Sequence, residues 1–108
     1  MRQAFVYVDN QKAGIIQETE DGEFVFQYLS DYLLKPHALP VSLTLPLQVE
    51  SFQNKTLFPF FDGLIPEGWL LDLSIHNWKL RSNDRMGLLL TSCHDAIGNV
   101  SIKEIEDE

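Results

Sequence analysis

Phe60-Phe61-Asp62-Gly63-Leu64-Ile65-Pro66-Glu67-Gly68-Trp69-Leu70-Leu71 is the densest apolar segment of the chain. One acidic turn, Asp62-Gly63, interrupts it, and a large aromatic, Trp69, follows a Pro66-Glu67-Gly68 corner. Upstream, Thr56 is placed to cap a helix with Pro59 in its first turn, where the missing N–H costs little. Leu57, Phe60, Phe61 and Leu64 then fall at i, i+3, i+4 and i+7, which is one apolar stripe. Gly63 and Pro66 end this helix, and a second is expected from about Gly68 to about Leu80. At about 100° per residue, Leu71, Ile75 and Trp78 share one face of it. Trp69, Leu73 and Leu80 share a nearly opposite face, with Asp72 and Lys79 on the polar edge between. Such a helix is either sandwiched within its own domain or bridges to a partner. Nothing in the segment carries reaction chemistry, so it points to binding.

On the N-terminal side the pattern is that of strands. Phe5-Val6-Tyr7-Val8, the turn-rich Asp9-Asn10-Gln11-Lys12, and Ala13-Gly14-Ile15-Ile16-Gln17 read as a β-hairpin. After a second turn at Glu20-Asp21-Gly22, Phe24, Phe26 and Tyr28 alternate with Glu23, Val25 and Gln27, a third strand with three aromatics on its core face. Three strands on short turns favour an antiparallel meander. Ser30 to Leu34 is one short helical turn capped by Ser30 or Asp31, stopped by Pro36 and Pro40. Val41-Ser42-Leu43-Thr44-Leu45 alternates strictly and is expected to be a strand ended by Pro46. Glu50 to Lys55 reads as a polar connection. C-terminally, Arg81 to Arg85 is a charged loop, Met86-Gly87-Leu88-Leu89-Leu90 a short buried helix, and Val100, Ile102 and Ile105 mark a last strand. The expected fold is α+β: a small twisted antiparallel sheet with two or three helices packed on one face, and barrel-like closure left open. It forms one domain over residues 1–108, with a short acidic tail at 104–108.

Composition excludes several function classes. At 108 residues, 44% hydrophobic and 22% charged, the chain has the makeup of one soluble globular domain. No apolar run approaches the roughly 20 residues of a membrane helix, and the N-terminus lacks signal-peptide features. The one cysteine, Cys93, allows no internal disulfide, so a reducing, cytoplasmic setting is expected. Eight basic residues against sixteen acids, a net charge of −8, argue against independent nucleic-acid binding and suit a basic protein partner.

Candidate chemistry is thin. Cys93-His94-Asp95 holds nucleophile, base and acid types, but consecutive side chains point in different directions and do not readily form a relay. His37, His76 and His94 lie far apart, without metal-ligand spacing. Gly63 to Gly68 lacks the Lys-Ser/Thr ending of a phosphate loop, and the glycine loop and paired aspartates of a kinase are absent. Asp62 and Glu67 flank the corner, where capping and solvation outweigh an acid–base pairing; Glu67 also suits the positive end of the following helix. No catalytic residue, metal or cofactor is expected. Trp69 is either a core aromatic of an amphipathic helix or an exposed anchor for a partner, a role tryptophan fills because it buries much area with few rotors. Trp78, in register with Leu71 and Ile75, is the better core candidate.

Several stretches carry a family resemblance. Val6-Tyr7-Val8 through Gly14, Phe24 to Tyr28, Pro40 to Leu47, Phe60 to Gly68 and Asp95-Ala96-Ile97-Gly98-Asn99-Val100, in this order, resemble the N-terminal subdomain of HipA-type serine/threonine kinases. Cys93 stands where the family usually has Gly, and Asn99 where it often has Ala. The chain stops where the kinase core of such proteins would begin, so the resemblance implies a HipS-type antitoxin of the tripartite HipB–HipS–HipT systems. The implied partners are a HipA-like kinase toxin (HipT), neutralised in trans, and a helix-turn-helix repressor of the HipB type. A non-inhibitory scaffold linking the two is the alternative. No catalytic residue is carried over. The expected kinase-contacting set is Asp62, Gly63, Ile65, Pro66, Glu67, Gly68, Trp69, Leu70 and Leu73.

Overall fold

The computed structural model describes residues 2–65, 85–92 and 99–105. Strands β1 (Arg2–Val8) and β2 (Gln11–Glu18) form the opening hairpin. Val8 pairs with Gln11, so the turn is only Asp9-Asn10, both at positive φ, 50° and 66°. This is the geometry of a two-residue type I′ loop, and Asp and Asn are the non-glycine residues that tolerate it best. The register shifts between Val6, opposite Gly14, and Tyr7, opposite Lys12, which leaves Ala13 as a bulge. Ala13 and Gly14 are both buried as a result, as expected where a bulge breaks the two-residue alternation.

Gly14 is held to glycine by its neighbours. A Cβ there would stand 2.7 Å from the Gln27 carbonyl oxygen and 2.8 Å from Phe26 Cε1. The Ala13 carbonyl accepts the N–H of Leu29 at 2.8 Å, and this ties the bulge to the end of β3 (Phe24–Tyr28). Phe24, Phe26 and Tyr28 are buried, with Gln27 exposed. Alternation predicted this face, and the three-stranded meander is present.

The sheet has five strands in the order β4-β3-β2-β1-β5, every neighbouring pair antiparallel. Strand β5 (Val100–Glu104) pairs with β1 and buries Val100 and Ile102. Edges β4 and β5 do not pair with each other among the described residues. The sheet is therefore open, and barrel-like closure is not observed. Glu104, read as the start of a solvated tail, is the last residue of β5, and the Ile105 N–H still reaches the Gln3 carbonyl at 2.9 Å.

Two strand expectations are corrected. Val41 to Leu45 is a tight turn, closed by a Ser42–Leu45 bridge with the Leu45 N–H on the Ser42 carbonyl at 3.1 Å. Val41 and Leu45 are buried, but Leu43 between them is 96% exposed. Ser42 Oγ accepts the Thr44 N–H at 3.2 Å; such a local bond competes with a ladder, and Pro40 and Pro46 deny it donors. Conversely, the polar connection contains β4 (Phe52–Asn54), paired with β3. Only Phe52 faces the core, stacked 6.2 Å from Phe26, so a three-residue edge strand hides behind Gln53 and Asn54.

The described helices are short: α1 (Ser30–Leu33), α2 (Pro59–Asp62) and α3 (Arg85–Ser92). Neither Ser30 nor Asp31 caps α1; Leu29 holds that position without a side-chain bond. Likewise Phe58, not Thr56, precedes α2, with Pro59 in its first turn as expected. In α3, Met86, Leu88, Leu89 and Leu90 are buried, which extends the expected Met86–Leu90 helix at both ends. The core joins these side chains to Ala4, Val6, Ile16, Phe26, Phe61 and Ile102, all fully buried. The second helix expected from Gly68 to Leu80, the Cys93-His94-Asp95 triplet and His76 lie outside the described residues. No described helix is long and apolar enough to cross a membrane.

Candidate functional site

The corner that follows α2 rests on an aromatic base. Phe61 is fully buried, its ring 5.4 Å from Phe26, 6.2 Å from Phe58 and 5.2 Å from Phe60. Leu57 and Phe58 are buried beside it and Phe60 is half-buried; the four expected apolar residues all pack on the core, but only Phe60 and Phe61 lie within α2, with Leu57 before it and Leu64 after it. Burying a phenylalanine stabilises by about 1.5–3 kcal/mol, and the edge-on ring contacts add about 0.5–1.5 kcal/mol per pair. This cluster pins α2 to β3, the strand next to the β4 edge.

Three of the nine expected site residues are described, and they play three different parts. Asp62 ends α2 and accepts a charge-assisted hydrogen bond from Arg85 Nε at 2.7 Å. The pair ties α2 to the first residue of α3. Both side chains are about a third or more exposed, at 44% and 34%, so the pair contributes about 0–1 kcal/mol and acts chiefly as an orienting contact. Gly63 follows at φ −68°, its N–H on the Pro59 carbonyl at 2.9 Å. It is exposed, and its backbone conformation is open to any residue. Ile65 is 3% exposed, with its N–H on the Asp62 carbonyl at 3.2 Å. It belongs to the base of the corner and points into the core. Pro66, Glu67, Gly68, Trp69, Leu70 and Leu73 lie outside the described residues.

Arg85 is the residue that sequence reading did not connect to the corner. It looked like the end of a charged loop, and 23 positions separate it from Asp62. Only its place directly before the apolar Met86 run hints that it opens a helix. Two buried tyrosines have a role that alternation does not show. Tyr28 and Tyr32 stack at 6.2 Å, 9° from parallel, and their hydroxyls hold the loop after α1. The Tyr28 hydroxyl accepts the Val41 N–H at 2.9 Å and donates to the Leu45 carbonyl. The Tyr32 hydroxyl accepts the Leu39 N–H at 3.0 Å and donates to the Leu39 carbonyl at 2.7 Å. Burial raises the Tyr28 pKa above its ordinary value; the Val41 N–H lowers it in part, and neighbouring Tyr32 raises it further. A neutral hydroxyl is what the donated bond to Leu45 requires.

Among the described residues no group of three or more His, Cys, Asp or Glu side chains is placed to hold a metal ion. The described surface offers clefts and packed aromatics, with no general base beside a nucleophile. What it can do is present a fixed edge to another molecule.

Comparison with known proteins agrees with this architecture. Residues 4–103 match the HipA N-terminal domain family. An uncharacterized protein of Haemophilus influenzae is 32% identical over 104 residues, which span 96% of this chain and 93% of that one. The putative kinase Y4mE of Sinorhizobium fredii is 34% identical over 62 residues, 57% of this chain but only 15% of that protein. Among solved structures, the N-terminal domain of HipA toxin aligns over 100% of this chain and 96% of its own, at a TM-score of 0.73 and 28% identity. The family match and the solved-structure match are both to the N-terminal domain. With the open five-stranded sheet, its three described helices and a match running from β1 into β5, this chain belongs to the HipA N-terminal domain family.

Proposed function

We propose that the protein binds a HipA-like serine/threonine kinase toxin in trans and neutralises it, acting as the antitoxin of a toxin–antitoxin set. The observation that carries this reading is the whole-domain match to the N-terminal domain of HipA toxin. A domain that belongs beside a kinase core has a surface suited to one. The rigid base of the corner supports the same reading. Phe61 and Ile65 are locked in the core and Asp62 is paired to Arg85, so the described part of the corner is fixed up to Ile65.

The inhibitory step needs no chemistry from this chain. Phosphoryl transfer depends on holding nucleotide, metal and acceptor in register. A side chain wedged against the loop that covers the phosphates would spoil that register without competing for nucleotide. In this proposal Trp69 is the wedge, and Gly63, Pro66, Glu67, Gly68, Leu70 and Leu73 are the other residues that contact the kinase. Losing a central aromatic anchor costs about 2–4 kcal/mol of binding. Trp69→Ala is therefore expected to weaken inhibition of the purified kinase while the circular dichroism spectrum stays unchanged. Retention of full inhibition by this variant removes Trp69 from the mechanism. A kinase that binds the chain and keeps its activity would favour the scaffold role, with the chain linking kinase to a HipB-type repressor.

A further inference from the structure

Five large apolar side chains are exposed among the described residues, and all five lie in one stretch: Leu34 at 81%, Leu39 at 50%, Leu43 at 96%, Leu47 at 37% and Val49 at 71%. Single exposed leucines scattered over a surface are ordinary, whereas five exposed apolar side chains confined to one loop call for an explanation. The stretch leaves α1 at Leu33 and returns at Val49. Both residues line one cleft of about 250 Å³, together with Ile15 and Leu29, so the segment is a loop whose ends meet.

The loop is held in shape from within. The buried Tyr28 and Tyr32 hydroxyls bond the backbone of Leu39, Val41 and Leu45, and the Val41 and Leu45 side chains are themselves core. Pro36, Pro40 and Pro46 further restrict the chain. The Gln27 side-chain amide donates to the Val49 carbonyl at 3.1 Å, fixing the return. Side chains displayed on a fixed backbone bind at a lower entropic cost than those of a mobile loop.

Charge narrows the choice of occupant. Residues 32–49 form the longest run of the chain without Asp or Glu, and the one Lys or Arg within it is Lys35. A second copy would bring another body of net charge −8 and set Lys35 against Lys35, so self-association is opposed by like charge. An apolar hollow with an acidic rim on a different protein complements both features. The relative Y4mE, a putative kinase, carries its 62 matched residues, 15% of its length, within a much longer polypeptide.

We infer that the Leu34–Val49 loop is a second docking surface for the kinase partner, separate from the corner, and that it supplies affinity while the corner supplies inhibition. The inference rests on the reading given under Proposed function. Its test measures the Kd of the full-length chain for a HipA-like kinase body that lacks its own N-terminal domain. Leu43→Ser and Val49→Ser are compared with wild type, singly and together, with thermal melting of each variant and sedimentation of the chain alone. Removing exposed anchors leaves the fold intact, so melting stays at the wild-type value while the double variant binds at least about tenfold more weakly. Wild-type affinity in the double variant overturns the inference. So does a wild-type dimer that the substitutions convert to monomer, since the occupant is then a second copy. Absence of any wild-type binding instead overturns the proposed function and, with it, the kinase as occupant of this loop.

Discussion

Replacing Tyr28 by phenylalanine removes one oxygen and leaves two backbone groups without their partner. The ring stays in place, because Phe26 at 4.9 Å and Tyr32 at 6.2 Å pack against its faces and edge. The Val41 N–H and the Leu45 carbonyl both lose the hydroxyl between them, in residues 6% and 3% exposed. Each unpaired buried group costs about 1–3 kcal/mol, and the easier burial of phenylalanine offsets part of it, so a net loss of about 2–3 kcal/mol follows. At a urea m-value of about 1–1.5 kcal/mol/M for a domain of this size, the unfolding midpoint falls by about 2 M. The pH dependence supplies an independent readout. Burial holds the Tyr28 pKa above the ordinary 10.0, so the unfolded chain ionises first as pH rises. The associated stability is fully present below that ordinary value and is lost as pH climbs from it through the folded pKa. Tyr28→Phe should flatten this alkaline decline. A midpoint within about 0.3 M of wild type, with an unchanged alkaline slope, would refute the claim that this hydroxyl holds the loop.

Gly14→Ala places a methyl 2.7 Å from the Gln27 carbonyl oxygen and 2.8 Å from Phe26; neither the backbone oxygen nor a ring packed on Tyr28, Phe52 and Phe61 can yield, so melting should show a loss of about 1–3 kcal/mol. Phe61→Ala opens the centre of the aromatic cluster and is expected to cost about 3–5 kcal/mol in denaturant unfolding. A double-mutant cycle on Asp62→Asn and Arg85→Gln should return a coupling of about 1 kcal/mol or less, reduced further at high salt.

The strands β1 to β3 were legible because their sequence alternates strongly and buries one face only. Asp9-Asn10 marked the turn, although four residues were read as turn where two suffice. The Val41–Leu45 error has the opposite cause: its alternation is real, but Pro40, Pro46 and the Ser42 hydroxyl favour a turn, and alternation cannot weigh a missing backbone donor against a ladder. β4 was missed because this three-residue edge strand turns only Phe52 toward the core. At the corner, helix periodicity predicted Leu57, Phe60, Phe61 and Leu64 but said nothing of Ile65, which falls after the helix ends at Asp62; only packing assigns its inward direction. The Asp62–Arg85 contact joins residues far apart in sequence, and no local pattern encodes it. The exposed loop was hidden for a related reason, since Leu43 and Leu47 look like core residues until the turn is seen.

The central claim is that this domain silences a HipA-like kinase through the corner beyond α2. It is tested most directly by the initial phosphorylation rate of that kinase, titrated with the purified full-length chain and with Trp69→Ala. The account predicts that wild type abolishes phosphorylation near one equivalent, and that Trp69→Ala requires a concentration at least about thirtyfold higher. An undiminished rate in a kinase saturated with the wild-type chain would contradict it.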